Sequence, residues 1–591
     1  MANPSSGLFH LVMIKPSHYD DDGYPIQWFR SAIPSNTLAC LNGLAEDARR
    51  RQVLGDVDIR LHTYDETNRR VRPDRIIRMI RRAGGKALIA LVGVQSNQFP
   101  RSVDLARPFL AAGLPVCIGG FHISGCIAML PETPKEIRDA QDLGISFFAG
   151  EAEDGRLDEV LLDAFNDSLK PLYNYMDDLP ALEGQPPPAL PKKIVQRTLG
   201  AISSLDLGRG CPYQCSFCTI INVQGRKSRI RNADDLERAV RENYAQGIKR
   251  FFITDDNFAR NQRWEELCDR MIKMKVDEGM DIGFTIQVDT LCHKIPNFIE
   301  KATKGGARRI FIGLENINPD NLIGAKKRQN KITDYREMLQ KWRAHGALTF
   351  AGYILGFPGD TKESILSDIE IIKRELPVDI LEFFYLTPLP GSEDHKVLWQ
   401  KGTWMDPDLN KYDLTHRVSH HPKNVGPGMG RSLPRRLERL LHARAHPHDY
   451  APGRRHQVRN AQLHHLNAAV VQHHDPIGEC APVGRRHVPP EIPARPPFGL
   501  ADRKSVRLLS ALAHGACGQG PRLLVGLPAF QRDQARGRGG ARSLELQRRR
   551  HRSAAGERAR IPRSLPRHQG RRGRARAQAA QRRHPCHRPC V

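Results

Sequence analysis

The stretch AISSLDLGRGCPYQCSFC, residues 201–218, runs from an apolar strand pattern into three cysteines spaced Cys-x3-Cys-x2-Cys. AISSLDLG reads as a β-strand, and the loop carrying Cys211, Cys215 and Cys218 follows at its C-terminal end. Downstream, RFFITDD, GFTIQVD, RIFIGLE, LTFAGYILG and ILEFFYL repeat the strand pattern. Helical stretches such as ADDLERAVRENYAQG and WEELCDRMIKMKVDEG lie between them. Six strand–helix units predict a partial parallel (β/α)6 barrel, a fold that carries its chemistry on the loops at the C-terminal strand ends. The cysteine loop falls on that face.

Working outward, residues 1–170 show a second α/β alternation. HLVMIKP, DVDIRLH, ALIALVGV, PVCIGG and ISFFAGEAE read as strands, and DRIIRMIRRA and VDLARPFLAAG as helices. This order predicts a doubly wound, Rossmann-like parallel sheet, in which ligands bind beyond the C-terminal strand ends. Those ends hold Ser96, the run Gly119-Gly120-Phe121-His122, and Gly150-Glu151. Residues 171–200 include LPALEGQPPPALPKK, whose proline density predicts a stiff linker. The barrel is assigned to 201–395, and 396–423 to the start of a C-terminal extension.

The net charge of +26 would by itself point to nucleic acid. Its distribution says otherwise. Residues 424–591 hold 33 Arg, 1 Lys and 9 acids, a net of +25, whereas the first 423 residues hold 57 basic and 56 acidic residues, a net of +1. The twelve cysteines show no secretory pairing pattern, the N-terminus lacks a signal-peptide pattern, and no apolar run has the length of a membrane span. A reducing cytoplasm is the expected compartment, and grouped cysteines there read as metal ligands. Zinc would need a fourth ligand, but the next cysteine is Cys268. Three thiolates without a fourth partner fit an iron–sulfur cluster with one open iron.

With Phe217 just before the last cysteine, CPYQCSFC resembles the signature loop of radical S-adenosylmethionine (SAM) enzymes. That resemblance implies a [4Fe–4S] cluster on Cys211, Cys215 and Cys218, SAM chelating the open iron, and reductive cleavage of SAM to a 5′-deoxyadenosyl radical. It also implies a SAM site lined by Phe217, by Asp255, Asp256 and Asn257 in FFITDDNF, by Gln287 in QVDT, by Glu315 in FIGLEN, and by Gly352 and Gly356 in GYILGFPGD. Each residue has a plainer reading: Asp255 and Asp256 as helix caps, Glu315 as the partner of an arginine, GFPG as a turn. Their coincidence at successive strand ends favours the site.

The order of front sheet, linker and cysteine barrel is similar to the cobalamin-binding branch of this family over residues 1 to about 420. The branch implies a corrin on the C-terminal edge of the front sheet, near Ser96, Gly119, Gly120, His122, Gly150 and Glu151. The Asp-x-His-x-x-Gly motif that ligates cobalt in many cobalamin proteins is absent from the chain, so His122 is expected in a structural or corrin-edge role rather than below the cobalt. Cys117 and Cys126 read as small buried residues. The resemblance implies a small-molecule substrate, a ferredoxin- or flavodoxin-like reductant, and cobalamin-dependent C-methylation, with a cobalamin-independent radical reaction as the alternative.

From Asn424 the resemblance stops. Three readings of residues 424–591 stand: a disordered arginine-rich tail that binds nucleic acid, a separate folded domain, and the product of a reading-frame shift in a GC-rich gene. The single lysine beside 33 arginines, with no Trp, one Tyr and two Phe, favours the third.

Overall fold

A computed structural model describes residues 7–420, so the readings made of 424–591 lie outside the described residues. The front sheet has six strands: β1 (Leu8–Lys15), β2 (Asp58–Asp65), β3 (Lys86–Leu91), β4 (Val116–Gly119), β5 (Ser146–Ala149) and β6 (Leu172–Asn174). Their order is β2-β1-β3-β4-β5-β6, and every neighbouring pair is parallel. β1 shows why this sheet lies between two layers. Phe9, Leu11 and Met13 join the core on one face, while Val12 and Ile14 join the core on the other. A strand covered on both faces must be apolar at both side-chain parities, hence the continuous run LVMI at Leu11–Ile14.

The second sheet comprises β7 (Ile202–Leu205), β10 (Arg250–Ile253), β11 (Gly283–Val288), β12 (Ala307–Glu315), β13 (Leu348–Leu355) and β14 (Ile380–Tyr385). All pairs are parallel and follow chain order from β7 to β14, the wiring of a (β/α)6 partial barrel. Their C-terminal ends therefore share one rim. A two-stranded antiparallel ribbon, β8 (Gly208–Arg209) with β9 (Arg229–Ile230), closes the base of the cysteine loop. The fold is α/β throughout, and no described helix is long and apolar enough to cross a membrane.

Two elements of this architecture differ from the sequence expectation. β6 lies inside the stretch expected to be linker and pairs with β5, so the sheet runs further than its apolar pattern indicated. The proline-rich segment after it is packed against its neighbours. Leu182, Leu190 and Val195 are buried, and Ala189 N–H donates to the Ala39 carbonyl. Gly43, on the helix Asn36–Arg50, faces the Pro187 carbonyl so closely that an added Cβ would stand 2.2 Å from its oxygen. A single apolar core runs from the front sheet, through this segment, into the barrel.

Arg231 pins the segment. Its side chain is buried, and its guanidinium donates to the carbonyls of Asp206 (2.8 Å), Leu182 (3.1 Å), Gln185 (2.7 Å) and Pro186 (3.2 Å). Proline-rich chain leaves many carbonyls without a local donor, and one guanidinium supplies several donors in a fixed fork. Arg231→Met should keep the apolar stem but leave these carbonyls unpaired. A loss of about 3 kcal/mol or more is expected in chemical denaturation, since hydrogen bonds to charged groups contribute about 1.5–3 kcal/mol each.

Candidate functional site

The cysteine loop leaves the barrel after β7 and returns through β9. At its start, Gly210 has φ +92°, and an added Cβ would meet the carbonyl oxygens of Lys227, Gly225 and Gln224 at 2.8–3.1 Å. Glycine is required there by both conformation and space. The Gly210 N–H donates to Asp256 Oδ2 (3.0 Å), and the Cys211 N–H to the Gly225 carbonyl (3.2 Å). The loop is thus held from below by the end of β10 and closed on itself.

Cys215 is buried, and Cys211 and Cys218 are partly exposed. All three are free thiols, and burial raises them, Cys211 to about 11 and Cys218 to about 12. Such thiols ionise only when a metal replaces the proton. A single tetrahedral zinc would draw its sulfurs to about 3.8 Å from one another, given bonds of about 2.3 Å. Among the described residues, the His/Cys/Asp/Glu trio whose ligand atoms all lie within 4.8 Å of one another is His122, Cys126 and Glu136, and the three loop cysteines do not form such a group.

Around the thiols stands a cation that the sequence pattern does not single out. Lys327 is buried, lies 5.7 Å from the Phe217 ring centroid, and forms an ion pair with Glu315. Burial opposes its charge, but Glu315 and the Cys215 thiol hold its pKa up. Glu315 sits at the end of β12 with φ +64°, where the pairing with β13 shifts register. Gly313 makes room for the pair, because a Cβ there would lie 2.6 Å from Glu315 Oε1 and 3.0 Å from Lys327 Nζ. Gln329 Nε2 donates to Cys215 Sγ at 3.7 Å. Phe217 packs edge-on against Phe357, 6.4 Å between centroids, beside Ile354 and Ala325.

The remaining rim residues divide into two kinds. Asp255 is fully engaged in structure, its Oδ1 accepting from Leu207 N–H (3.0 Å) and its Oδ2 from Asn261 Nδ2 (2.8 Å). Burial raises its pKa to about 8, and that of Asp256 to about 7. Asn257 exchanges hydrogen bonds with Asp289, which also accepts from Arg260 Nε and Nη2, and Gln287 donates to the Asp255 carbonyl. Gly352, inside β13, faces Phe384 and Phe311, so a Cβ would press on the barrel aromatics. Gly356 is different. It has φ +90°, and nothing lies within 4 Å of the point where a Cβ would stand. Its N–H is held by Asp360 Oδ2 (2.9 Å), which also takes the Phe357 N–H. GFPGD is therefore a turn, and one with open space on the side where a Cβ would point.

The front-sheet residues are held by the protein's own contacts. Ser96 Oγ lies 3.2 Å from His122 Nδ1. A Cβ on Gly120 would lie 2.1 Å from Val94 N, one on Gly119 3.3 Å from Phe148, and one on Gly150 3.1 Å from Tyr175. Glu151 is buried against Arg209 (2.5 Å) and Arg229 (2.8 Å). Arg209 also grips Glu153 and Asp206, each at 2.6 Å. The sequence reading missed Arg209, Arg229 and Lys327, because nothing in their local pattern separates them from surface cations.

The three-cysteine loop stands on the rim of a six-stranded parallel barrel that follows a Rossmann-like sheet. Residues 205–372 match the family model described as the Radical SAM superfamily. The chain thus carries a radical SAM domain, an enzyme domain that works with a [4Fe–4S] cluster and SAM. More particularly, it is 29% identical over 327 residues to the bacteriochlorophyllide d C-12(1)-methyltransferase of Chlorobaculum tepidum, covering 54% of this chain and 66% of that one. It is 24% identical over 319 residues to the hopanoid C-2 methylase of Rhodopseudomonas palustris, covering 54% of this chain and 58% of that one. Among solved structures, the radical SAM methyltransferase TsrM from Kitasatospora setae matches with a TM-score of 0.51 at 16% identity, covering 68% of this chain and 77% of that one.

The raised pKa of Asp255 has a testable consequence in protein without cofactors. An acid whose folded pKa lies at about 8, above its ordinary 3.8, contributes stability that is present at low pH and is lost as pH rises through that window. Asp255→Asn removes this dependence. The stability of the variant relative to wild type should therefore rise from pH 4 to about pH 8, read by denaturant unfolding at several pH values. A flat difference would show that Asp255 is already ionised in the folded protein.

Proposed function

We propose that the chain is a cobalamin-dependent radical SAM enzyme that methylates carbon in a small-molecule substrate. The observation that carries the reading is the meeting of the two ligand edges. The helix Phe121–Met129, which follows β4, packs against the helix Ile220–Val223, which follows Cys218. The same helix also meets the barrel at Gly125, where a Cβ would lie 2.4 Å from the Pro390 carbonyl oxygen. The edge where a doubly wound sheet binds its ligand is thereby set beside the cysteine loop. Two of the relatives are named as methyltransferases of bacteriochlorophyllide d and of hopanoids, and a TsrM structure holds both cobalamin and a [4Fe–4S] cluster.

In this reading Cys211, Cys215 and Cys218 hold the cluster. Lys327 offsets the negative charge of three thiolates in a half-buried site, where an unpaired charge is costly. Asp256 fixes the loop through the Gly210 N–H, and Gly356 leaves room for SAM against the rim. When bound, cluster and SAM supply one-electron chemistry, and a corrin supplies a methyl carrier. The electron would come from a ferredoxin- or flavodoxin-like donor. Nδ1 of His122 is engaged by Ser96, so it offers a corrin no free nitrogen on that side. The contact would instead be with the backbone of the sheet edge.

A cobalamin-independent radical reaction is the second reading, favoured by one observation: Ser96, Gly120, His122, Gly150 and Glu151 are all packed or bonded within the protein. Anaerobic reconstitution with iron, sulfide and cobalamin separates the two. Wild type should take up about four iron per chain and show corrin absorption after desalting. The Cys211/Cys215/Cys218→Ala triple variant should lose the iron, and retention of all of it would remove the cluster assignment. Iron uptake without corrin would leave the second reading. Lys327→Met should lower SAM turnover by about 10–100-fold, the usual cost of losing a partner that tunes a metal site, with folding unchanged by circular dichroism.

A further inference from the structure

The trio His122, Cys126 and Glu136 lies outside the cysteine loop and has no part in the function proposed above. His122 and Cys126 are one helical turn apart on the helix Phe121–Met129, so their side chains share a face. Glu136 lies in the first turn of the next helix, Lys135–Asp142. One ligand atom from each lies within 4.8 Å of the others, and His122 Nε2 is 3.8 Å from Glu136 Oε1. An ion about 2.0–2.2 Å from each would bridge that gap.

Three further observations point to a ligand. The His122 ring is buried, and its Nε2 has no hydrogen-bond partner among the described residues. A buried imidazole nitrogen left unpaired costs about 1–3 kcal/mol unless something occupies it. The other ring nitrogen, Nδ1, is engaged by Ser96 Oγ at 3.2 Å, and Phe99 packs against the ring at 4.7 Å. That is how metal-bound histidines are oriented, one nitrogen held by a partner and the other presented to the ion. Finally, Cys126 is buried while the Glu136 side chain is 38% exposed, which sets the trio at the edge of the core.

We propose that His122 Nε2, Cys126 Sγ and a Glu136 carboxylate oxygen form a site for a divalent zinc ion, separate from the cluster. The nitrogen, sulfur and oxygen donor set suits zinc, and three protein ligands leave a fourth position for water. Binding would exchange the Cys126 proton for the metal and release it to solvent. The ion would tie the helix that abuts the cysteine loop to the helix behind it.

The test is zinc loading of the full chain after cluster reconstitution, followed by desalting, metal analysis and zinc K-edge X-ray absorption. About one zinc per chain is expected, with one sulfur at about 2.3 Å and nitrogen or oxygen neighbours at about 2.0–2.2 Å, and with iron content unchanged. Cys126→Ser should abolish the sulfur shell. Glu136→Gln, on a half-exposed helix start, should weaken zinc binding by at least about tenfold with an unchanged circular dichroism spectrum. A three-sulfur shell would place the zinc in the cysteine loop and overturn the proposal. So would failure to retain zinc, or a sulfur shell that survives Cys126→Ser. If Cys126→Ser does not fold, unchanged zinc affinity in Glu136→Gln overturns it alone.

Discussion

The guanidinium of Arg209 is the constraint on which the rest of the site depends. It lies one residue before Gly210 and two before Cys211, buried between two domains, and binds Asp206 from its own strand end together with Glu151 and Glu153 from the front sheet. Arg229, across the short ribbon, closes on Glu151 as well. Buried ion pairs of this kind rarely add much net stability, because desolvation consumes most of the attraction. What they fix is position. The guanidinium's planar fork meets carboxylates from both sides, so the start of the cysteine loop is set relative to the front sheet's ligand edge.

The same economy governs the loop's other side. Glu315 adopts a left-handed backbone, rare outside glycine, and does so where its carboxylate meets Lys327. Gly313 clears the space between them. Backbone strain of about 1–3 kcal/mol persists only where surrounding structure over-determines it. Here the determinants are a buried cation, a register shift and a missing side chain, all within reach of Cys215.

Much of this is legible in the sequence. The long apolar runs of β1, β3, β12 and β13 mark the two parallel sheets, and strand-end position alone brings Cys211, Asp256 and Gly356 to one rim. β6, β8 and β9 are not legible, because strands of two or three residues exist only through their long-range partners. Lys327 is equally hidden. It sits beside Lys326, which reaches solvent and pairs with Glu393, and no local pattern tells the buried lysine from its exposed neighbour. The plainer reading of Glu315 gives it an arginine partner, and it meets this lysine instead. Asp255 reads from the sequence as a SAM contact or a helix cap, and its oxygens hold the chain just after β7.

The closeness of the two domains at Gly43 and Gly125 has a consequence for how such a chain can change. At both points one half of the molecule presents a glycine to a carbonyl of the packed proline segment or the barrel, at a distance that excludes even a methyl group. Surfaces matched this tightly cannot be re-docked against a stranger. A front sheet with any side chain at either place would have to move off its partner, pulling against the Arg209 contacts. The two halves therefore fit as a matched pair, and the rim loops, which lie outside these contacts, are where the framework can change without disturbing the fit.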